Sequence, residues 1–304
     1  HEVWLSLWRL ARGAIGRLQL AADGVLQADP SFSTRTGNIL WKYYGELVLT
    51  LKRHWRVLVF TFDWRKDLRL AADALLASIN THFGPDEPVH FVAHSMGGLV
   101  ARSFLERHPQ RWRSMWSGGA DRRSRGGRLV MLGTPNHGSY LVPQVFCGLA
   151  NTVWMLERLD LTRDLAGLLR VVHSFPGVYQ LLPSPMVDLD AKPLYDPDTY
   201  GSIGVSARHL DLASSFHETL ARSLDSRGMR QTIEDRMIYF AGRGQQTPDG
   251  ILPGKLDHLA RVPQPRGFDI TQHYLFTFDG DGSVSRRLGQ LRDRDGKLVP
   301  VRTY

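Results

Sequence analysis

The sequence predicts an α/β fold: a mostly parallel central sheet, helices on both of its faces, and a helical segment inserted between two strands. Three observations lead there. Short β-branched or aromatic runs alternate with stretches of helical period between residues 56 and 132, the pattern of βαβ units and so of a parallel sheet. One of these runs passes directly through Ser95 into Met96-Gly97-Gly98, a tight strand-to-helix turn. From Tyr140 to about Asp235 the strand signal gives way to helical runs, and Met237–Ala241 then resumes the β pattern. The expected division is a core of residues 1–139 and 236–304 carrying a helical cap or lid of residues 140–235.

Taken in order, Arg56–Phe62 reads as a buried strand closed by Asp63-Trp64-Arg65. Asp67 is placed to cap a helix in which Leu68, Ala71, Ala72, Leu75, Leu76 and Ile79 share one face. Gly84-Pro85 and Pro88 punctuate before the strand that leads to Ser95, and the helix after it stops near His108-Pro109. Arg128–Leu132 is the next strand and ends in Gly133-Thr134-Pro135-Asn136-His137-Gly138-Ser139. Within the inserted segment, Val153–Val172 and Leu212–Leu224 read as helices, separated by the apolar, turn-rich Phe175–Pro183. Gly242–Gln272 reads as an irregular excursion, His273–Phe278 as a further strand, and Leu298–Tyr304 as a final one.

The 304 residues are 42% hydrophobic and 22% charged, enough for one large domain with an insertion. A single cysteine, Cys147, excludes an intramolecular disulfide and offers no thiol-ligated metal site. No metal or cofactor is expected. No apolar run approaches the roughly 18 residues of a membrane span, and the opening residues lack the charged and apolar blocks of a secretory leader. The expectation is a cytoplasmic rather than a secreted protein. The formal net charge is +8. Arg107, Arg111, Arg113, Arg122, Arg123, Arg125 and Arg128 crowd one stretch around Ser117-Gly118-Gly119. This is either a solvated basic loop or a contact for an anion or an anionic membrane surface. No nucleic-acid motif accompanies it, and nothing fixes an oligomeric state.

The chemistry centres on Ala93-His94-Ser95-Met96-Gly97, a nucleophile elbow with Ala in place of the usual first glycine. Small flanking residues let strand and helix pass close while the hydroxyl projects from the sheet. Serine is a weak nucleophile at neutral pH and needs a histidine base, itself oriented by a carboxylate. Ser95 is the candidate nucleophile, and the Met96 N–H a candidate half of the oxyanion hole. Asp281, in a glycine-flanked turn late in the chain, is the candidate acid, with Asp279 its rival. No histidine follows His273, so the order serine, acid, histidine is not completed within these residues. His94 is expected to support the elbow, His137 to line the site, and His258 and His273 would require an unusual arrangement. The expected place for the base is therefore beyond Tyr304, and the second oxyanion donor is expected before His1, with both ends of the chain truncated. Trp64 and Tyr179 are further tentative substrate contacts. Trp41, Tyr43, Tyr44, Trp154 and Phe175 are possible walls of an acyl pocket, or simply core. Asp63 and Arg65 form either the floor of the site or a structural ion pair.

Several segments together resemble the lecithin:cholesterol acyltransferase-like family of α/β-hydrolases. They are A-H-S-M-G-G-L-V-A-R around Ser95, F-D-W-R at Phe62–Arg65 and G-T-P-N-H-G-S at Gly133–Ser139. F-P-G-V-Y-Q-L-L-P at Phe175–Pro183, F-A-G-R-G-Q-Q-T at Phe240–Thr247 and G-D-G-S-V at Gly280–Val284 complete the set. The resemblance implies an α/β-hydrolase fold, an acyl-enzyme at Ser95 with Asp281 as the triad acid, and a lipid or other hydrophobic ester as acyl donor. Water or an alcohol would take the acyl group. Ser283 stands where the family usually has Thr. Two other readings stand beside it: a non-catalytic hydrolase scaffold that binds a lipid or protein, and a general esterase or deacylase.

Overall fold

The computed structural model describes residues 13–34, 36–116, 126–150, 153, 155, 160, 162–224, 233, 235–255 and 269–304. Trp154, His258, Arg122, Arg123 and Arg125 lie outside the described residues, as does much of the predicted helix over Val153–Val172.

Four strands form a parallel sheet: β1 (Phe91–His94), β2 (Leu129–Leu132), β3 (Met237–Phe240) and a two-residue strand, Arg302–Thr303, lie side by side in that order. Phe91 sits opposite Leu129, Leu129 opposite Met237, and Ile238 opposite Arg302. Parallel neighbours need crossovers. Between β1 and β2 the chain passes through two helices, Met96–Arg107 and Pro109–Ser114. Between β2 and β3 it runs through helices at Leu141–Phe146, Leu165–Val172, Pro176–Tyr179 and Ala207–Ser223. These, preceded by Trp41–Lys52 and Leu68–His82 and followed by Arg286–Gly289, are named α1 to α9 in chain order: α1 (41–52), α2 (68–82), α3 (96–107), α4 (109–114), α5 (141–146), α6 (165–172), α7 (176–179), α8 (207–223) and α9 (286–289). The architecture is thus α/β with a parallel central sheet, as the sequence predicts.

The apolar period of α2 becomes a buried stripe of Leu68, Ala71, Ala72, Leu75 and Ile79 packed towards the sheet, and its first turn is capped by Asp67, which accepts from Arg69 N–H. A cap of this kind is worth about 1 kcal/mol. Gln180, from the Phe175–Pro183 segment, reinforces it: its Oε1 accepts from Leu68 N–H at 2.8 Å and its Nε2 donates to Asp67 at 2.7 Å.

Two large apolar cores form among the described residues, beside a small cluster of Ala150, Val153 and Leu169. One gathers the sheet with α2, α3 and α4, and also Phe216, Leu220 and Leu224 from α8 and its end. The other gathers the helices after β2 with Ile15, Leu18 and Leu20 near the start of the chain and with Tyr274 and Leu288 near its end. Packing therefore crosses residues 139/140 and 235/236 in both directions. Among the described residues no helix is long and apolar enough to cross a membrane.

Two expectations are corrected. Arg56–Phe62 forms no ladder among the described residues; Val57–Phe62 is half-buried, with Phe60 and Phe62 against the sheet core. Its composition favours a strand, but a strand exists only with a neighbour to pair with. The segment Gly242–Gln272 is not wholly irregular. Thr247–Ile251 is a strand, β4, pairing antiparallel with β5 (Tyr274–Thr277) in a separate two-stranded sheet. Pro248 and Gly250 hide it from a propensity reading, and they flank the irregularity in its register. The Arg302–Thr303 strand, β6, closes the main sheet beside β3.

Candidate active site

The carboxyl ends of β1, β2 and β3 hold the site. β1 runs into Ser95, whose backbone sits at φ 52° and ψ −129°. It is the only non-glycine residue with positive φ among the described residues. A side chain in that region is strained, and such strain persists only where the surroundings impose it. Here Ser95 N–H donates to Leu132 O at 2.9 Å, which pins the turn to β2, and α3 begins at the next residue. Met96 N–H opens α3, where the helix supplies no acceptor for it, and the Ser95 side chain does not cap the helix.

The glycines after Ser95 differ in their reasons. A Cβ at Gly98 would lie 2.0 Å from Thr134 Oγ1, a fully buried side chain behind the elbow. A Cβ at Gly97 would lie an ordinary 4.0 Å from Ala93 Cβ. Gly98→Ala is expected to destabilise the fold by about 1–3 kcal/mol through overpacking. Gly97→Ala should leave the urea midpoint unchanged or raise it. Equal losses in the two variants would show that Thr134 does not set the spacing.

Asp281 lies against the ends of the next two strands. A Cβ at Gly133, which follows β2, would be 3.0 Å from Asp281 Oδ2, and one at Gly242, which follows β3, would be 2.5 Å from Asp281 Cβ. Oδ1 is occupied by the N–H groups of Ser283 at 2.9 Å and Val284 at 2.8 Å, which fix the carboxylate within its own turn. Asp279 faces elsewhere, towards Arg243 at 3.0 Å and Arg286 at 4.0 Å, and is 44% exposed. The two carboxylates that the sequence left as rivals are thus separated by their partners.

The Gly133–Ser139 segment is the hub behind the site. Asn136 accepts from Arg102 on α3 through its carbonyl, at 2.8 Å, and its Oδ1, at 3.1 Å, and donates to Gly289 O at 2.8 Å. Ser139 Oγ donates to Ser283 O in the turn that follows Asp281. Arg102 is buried with no carboxylate partner among the described residues, and desolvation pushes its pKa down to about 9. It remains a cation at neutral pH, held by carbonyl oxygens.

His137 does not line an accessible site. It is buried, its Nε2 accepts from Arg292 N–H at 2.9 Å, and desolvation with the nearby Arg102 holds its pKa well below that of an ordinary histidine. Tyr179 is likewise withdrawn from any substrate. It is fully buried, its hydroxyl donates to His173 O and accepts from Ser206 N–H, both at 2.9 Å, and its ring packs on Phe146. Both residues belong to the packing behind the site: His137 Nε2 is taken by Arg292 N–H, and the Tyr179 hydroxyl by the nearby His173 O and by Ser206 N–H. Trp64 is half-buried, with its ring edge-on to Phe175. His94 is exposed and its Nδ1 lies 2.7 Å from Tyr44 Oη, consistent with a supporting role. Of the proposed aromatic walls among the described residues, Phe175 is buried, Trp41 and Tyr43 are exposed on α1, and Tyr44 meets His94.

Arg65 resolves as structural. It is buried, grips Asp63 through Nε at 2.8 Å and Nη2 at 2.6 Å, and donates to Leu18 O and Thr34 Oγ1, each at 2.6 Å. Of the basic stretch, Arg107 pairs with Asp73 at 2.7 Å, and Arg111 donates to Pro85 O at 2.6 Å and Gly84 O at 2.8 Å. Sequence reasoning did not single out Gly242, against which Asp281 packs, or Thr247, whose hydroxyl accepts from Gly282 N–H at 2.8 Å. The only signal was their presence in the Phe240–Thr247 segment.

No protein-family model and no curated protein matches the chain. Among solved structures, it is similar to one described as the Tle4–Tli4 complex, at 16% identity and a TM-score of 0.41, over 59% of this chain and 43% of that one. It is also similar to the lipase BlEst2 of Bacillus licheniformis in its mature form, at 14% identity and a TM-score of 0.34, over 78% of this chain and 70% of that one. The chain thus spans less than half the length of the first of these, and similarity at this level assigns no activity.

Proposed function

We propose that this chain is an α/β-hydrolase that forms an acyl-enzyme at Ser95, acting on lipid-like esters as a serine acyl hydrolase or an O-acyltransferase. The observation that carries the reading is the strained elbow serine, with Asp281 seated against the ends of the next two strands. A catalytic nucleophile is the ordinary reason to hold a serine at positive φ between a strand and a helix. In this mechanism Ser95 attacks the ester carbonyl and its proton passes to a histidine oriented by Asp281. Met96 N–H and a second donor hold the oxyanion, and the alcohol departs. Water or an alcohol then takes the acyl group from Ser95. β6 is parallel to β3, and Ala241 N–H donates to Tyr304 O at 2.9 Å, so the carboxyl end of β6 lies at the same edge of the sheet as Ser95 and Asp281. Trp64, half-buried, is a substrate contact on this reading. The lipid-like donor rests on the family resemblance.

A second reading, a scaffold that binds a lipid or protein without turnover, is favoured by one observation. The described residues include no histidine hydrogen-bonded to Ser95 or Asp281. Fluorophosphonate labelling read by intact mass separates the two, run on the 304-residue chain and on a form carrying its flanking coding sequence. Adduct at Ser95 in either form supports the acyl-enzyme; no adduct in both supports the scaffold. In the form that labels, Asp281→Asn is expected to slow the reaction on the order of 10⁴-fold, and Asp279→Asn to change it little. The opposite result would make Asp279 the acid.

A further inference from the structure

We propose that Thr247 is the positioning residue for the catalytic acid, an inference that rests on the acyl-enzyme reading above. Thr247 opens β4 and is fully buried. Its hydroxyl is used twice: Oγ1 donates to Gln245 O at 2.9 Å and accepts from Gly282 N–H at 2.8 Å. Gly282 has φ 92° and immediately follows Asp281. The side chain also fills the space beside Gly280, where a Cβ would lie 2.4 Å from Thr247 Oγ1. Thr247 thus touches the residues on both sides of Asp281 without touching its carboxylate.

The surrounding contacts give this placement its consequence. Gln245 N–H donates to Gly280 O at 3.1 Å, so the strand entering β4 and the acid turn are joined through both backbone and the Thr247 hydroxyl. Gly242 supplies the opposite wall, leaving room for Asp281 Cβ over the end of β3. Ser283 and Val284 hold Oδ1, which leaves Oδ2 as the oxygen on the Gly133 side, the side of β2 and the elbow. Rotating or releasing Gly282 N–H would turn Asp281 with it, because one peptide unit connects the two. An error of about 1 Å in such a group costs on the order of 10²-fold in rate. Thr247 therefore acts through Asp281 and does not itself meet the substrate.

The test uses Thr247→Val, which keeps the shape and removes the hydroxyl, and Thr247→Ser, which keeps the hydroxyl. Two quantities are read in the form of the protein that labels: the second-order rate constant of Ser95 modification by a fluorophosphonate, separately from the fraction modified, and the hydrogen-exchange rate of the Gly282 amide. Thr247→Val should lower the rate constant on the order of 10²-fold and speed Gly282 exchange, while Thr247→Ser stays close to the parent in both. In the Asp281→Asn background Thr247→Val should add little further loss, because the two act on one group. A lower modified fraction at an unchanged rate constant would mean that the valine variant only unfolds, and fully additive losses would mean that Thr247 does not act through Asp281. Either overturns the proposal. If the parent itself fails to react in both forms, the acyl-enzyme reading falls and the catalytic role of Thr247 falls with it, whereas Gly282 exchange still reports whether the hydroxyl holds the turn.

Discussion

Ser95→Ala is expected to lower ester turnover on the order of 10⁶-fold while leaving the unfolding midpoint close to that of the parent. The hydroxyl makes no helix cap, so removing it deprives the fold of no capping bond. The backbone explains a second expectation at the same position. Ser95 sits at φ 52°, where any side chain meets its own carbonyl neighbours and glycine does not. Ser95→Gly should therefore also abolish turnover, but it should raise stability, by about 1 kcal/mol once the extra chain entropy of glycine offsets part of the relieved strain. A nucleophile bought at the expense of stability has this signature: the inactive glycine variant outlasts the active parent. Equilibrium urea unfolding of the three proteins, beside an ester hydrolysis assay, decides it. Residual activity in Ser95→Ala within tenfold of the parent would remove Ser95 from the mechanism. A glycine variant less stable than the alanine variant would mean that the turn carries no strain.

The parts of this arrangement that were legible in the sequence are those whose cause is local. The elbow could be read because strand residues, an apex serine and small neighbours follow one another within ten positions, and α2 because its apolar spacing and Asp67 cap need no distant partner. The preference for Asp281 over Asp279 rests on local turn chemistry, whereas its closeness to Gly133 and Gly242, which follow two other strands, is invisible in the sequence. Where the cause is long-range the sequence was mute. Arg56–Phe62 has the composition of a strand and no ladder. His137 and Tyr179 carry chemistry by type, but Arg292 N–H, which claims His137 Nε2, and Ser206 N–H, which donates to the Tyr179 hydroxyl, lie elsewhere in the chain. A histidine in a loop at a strand end reads as a site residue until its partner is known.

Arg65→Ala is expected to cost about 3–5 kcal/mol of stability, the loss typical of breaking a buried pair from one side. Three segments depend on this guanidinium. It neutralises Asp63 across the turn after Phe62, satisfies Leu18 O in the segment near the start of the chain, and holds Thr34. Its own carbonyl accepts from Gly177 N–H at 3.0 Å, and a Cβ at Gly177 would lie 2.2 Å from Trp64 O, so α7 docks directly on the same turn. Removing the side chain leaves the part-buried Asp63 carboxylate without its cation and the carbonyl of the buried Leu18 without its donor. Lysine offers one point charge and cannot reproduce the paired contacts with Asp63 while also reaching Leu18 O, so Arg65→Lys should recover only part of the loss. The exposed pair Arg56–Glu87 is the control, since its side chains are 61% and 40% accessible. Arg56→Ala should leave the urea midpoint within error, as screened surface pairs do. Similar midpoints for Arg65→Ala and Arg56→Ala would overturn the structural assignment of Arg65. A turnover rate lost in Arg65→Ala at temperatures where the variant is fully folded would return Asp63 and Arg65 to the floor of the active site.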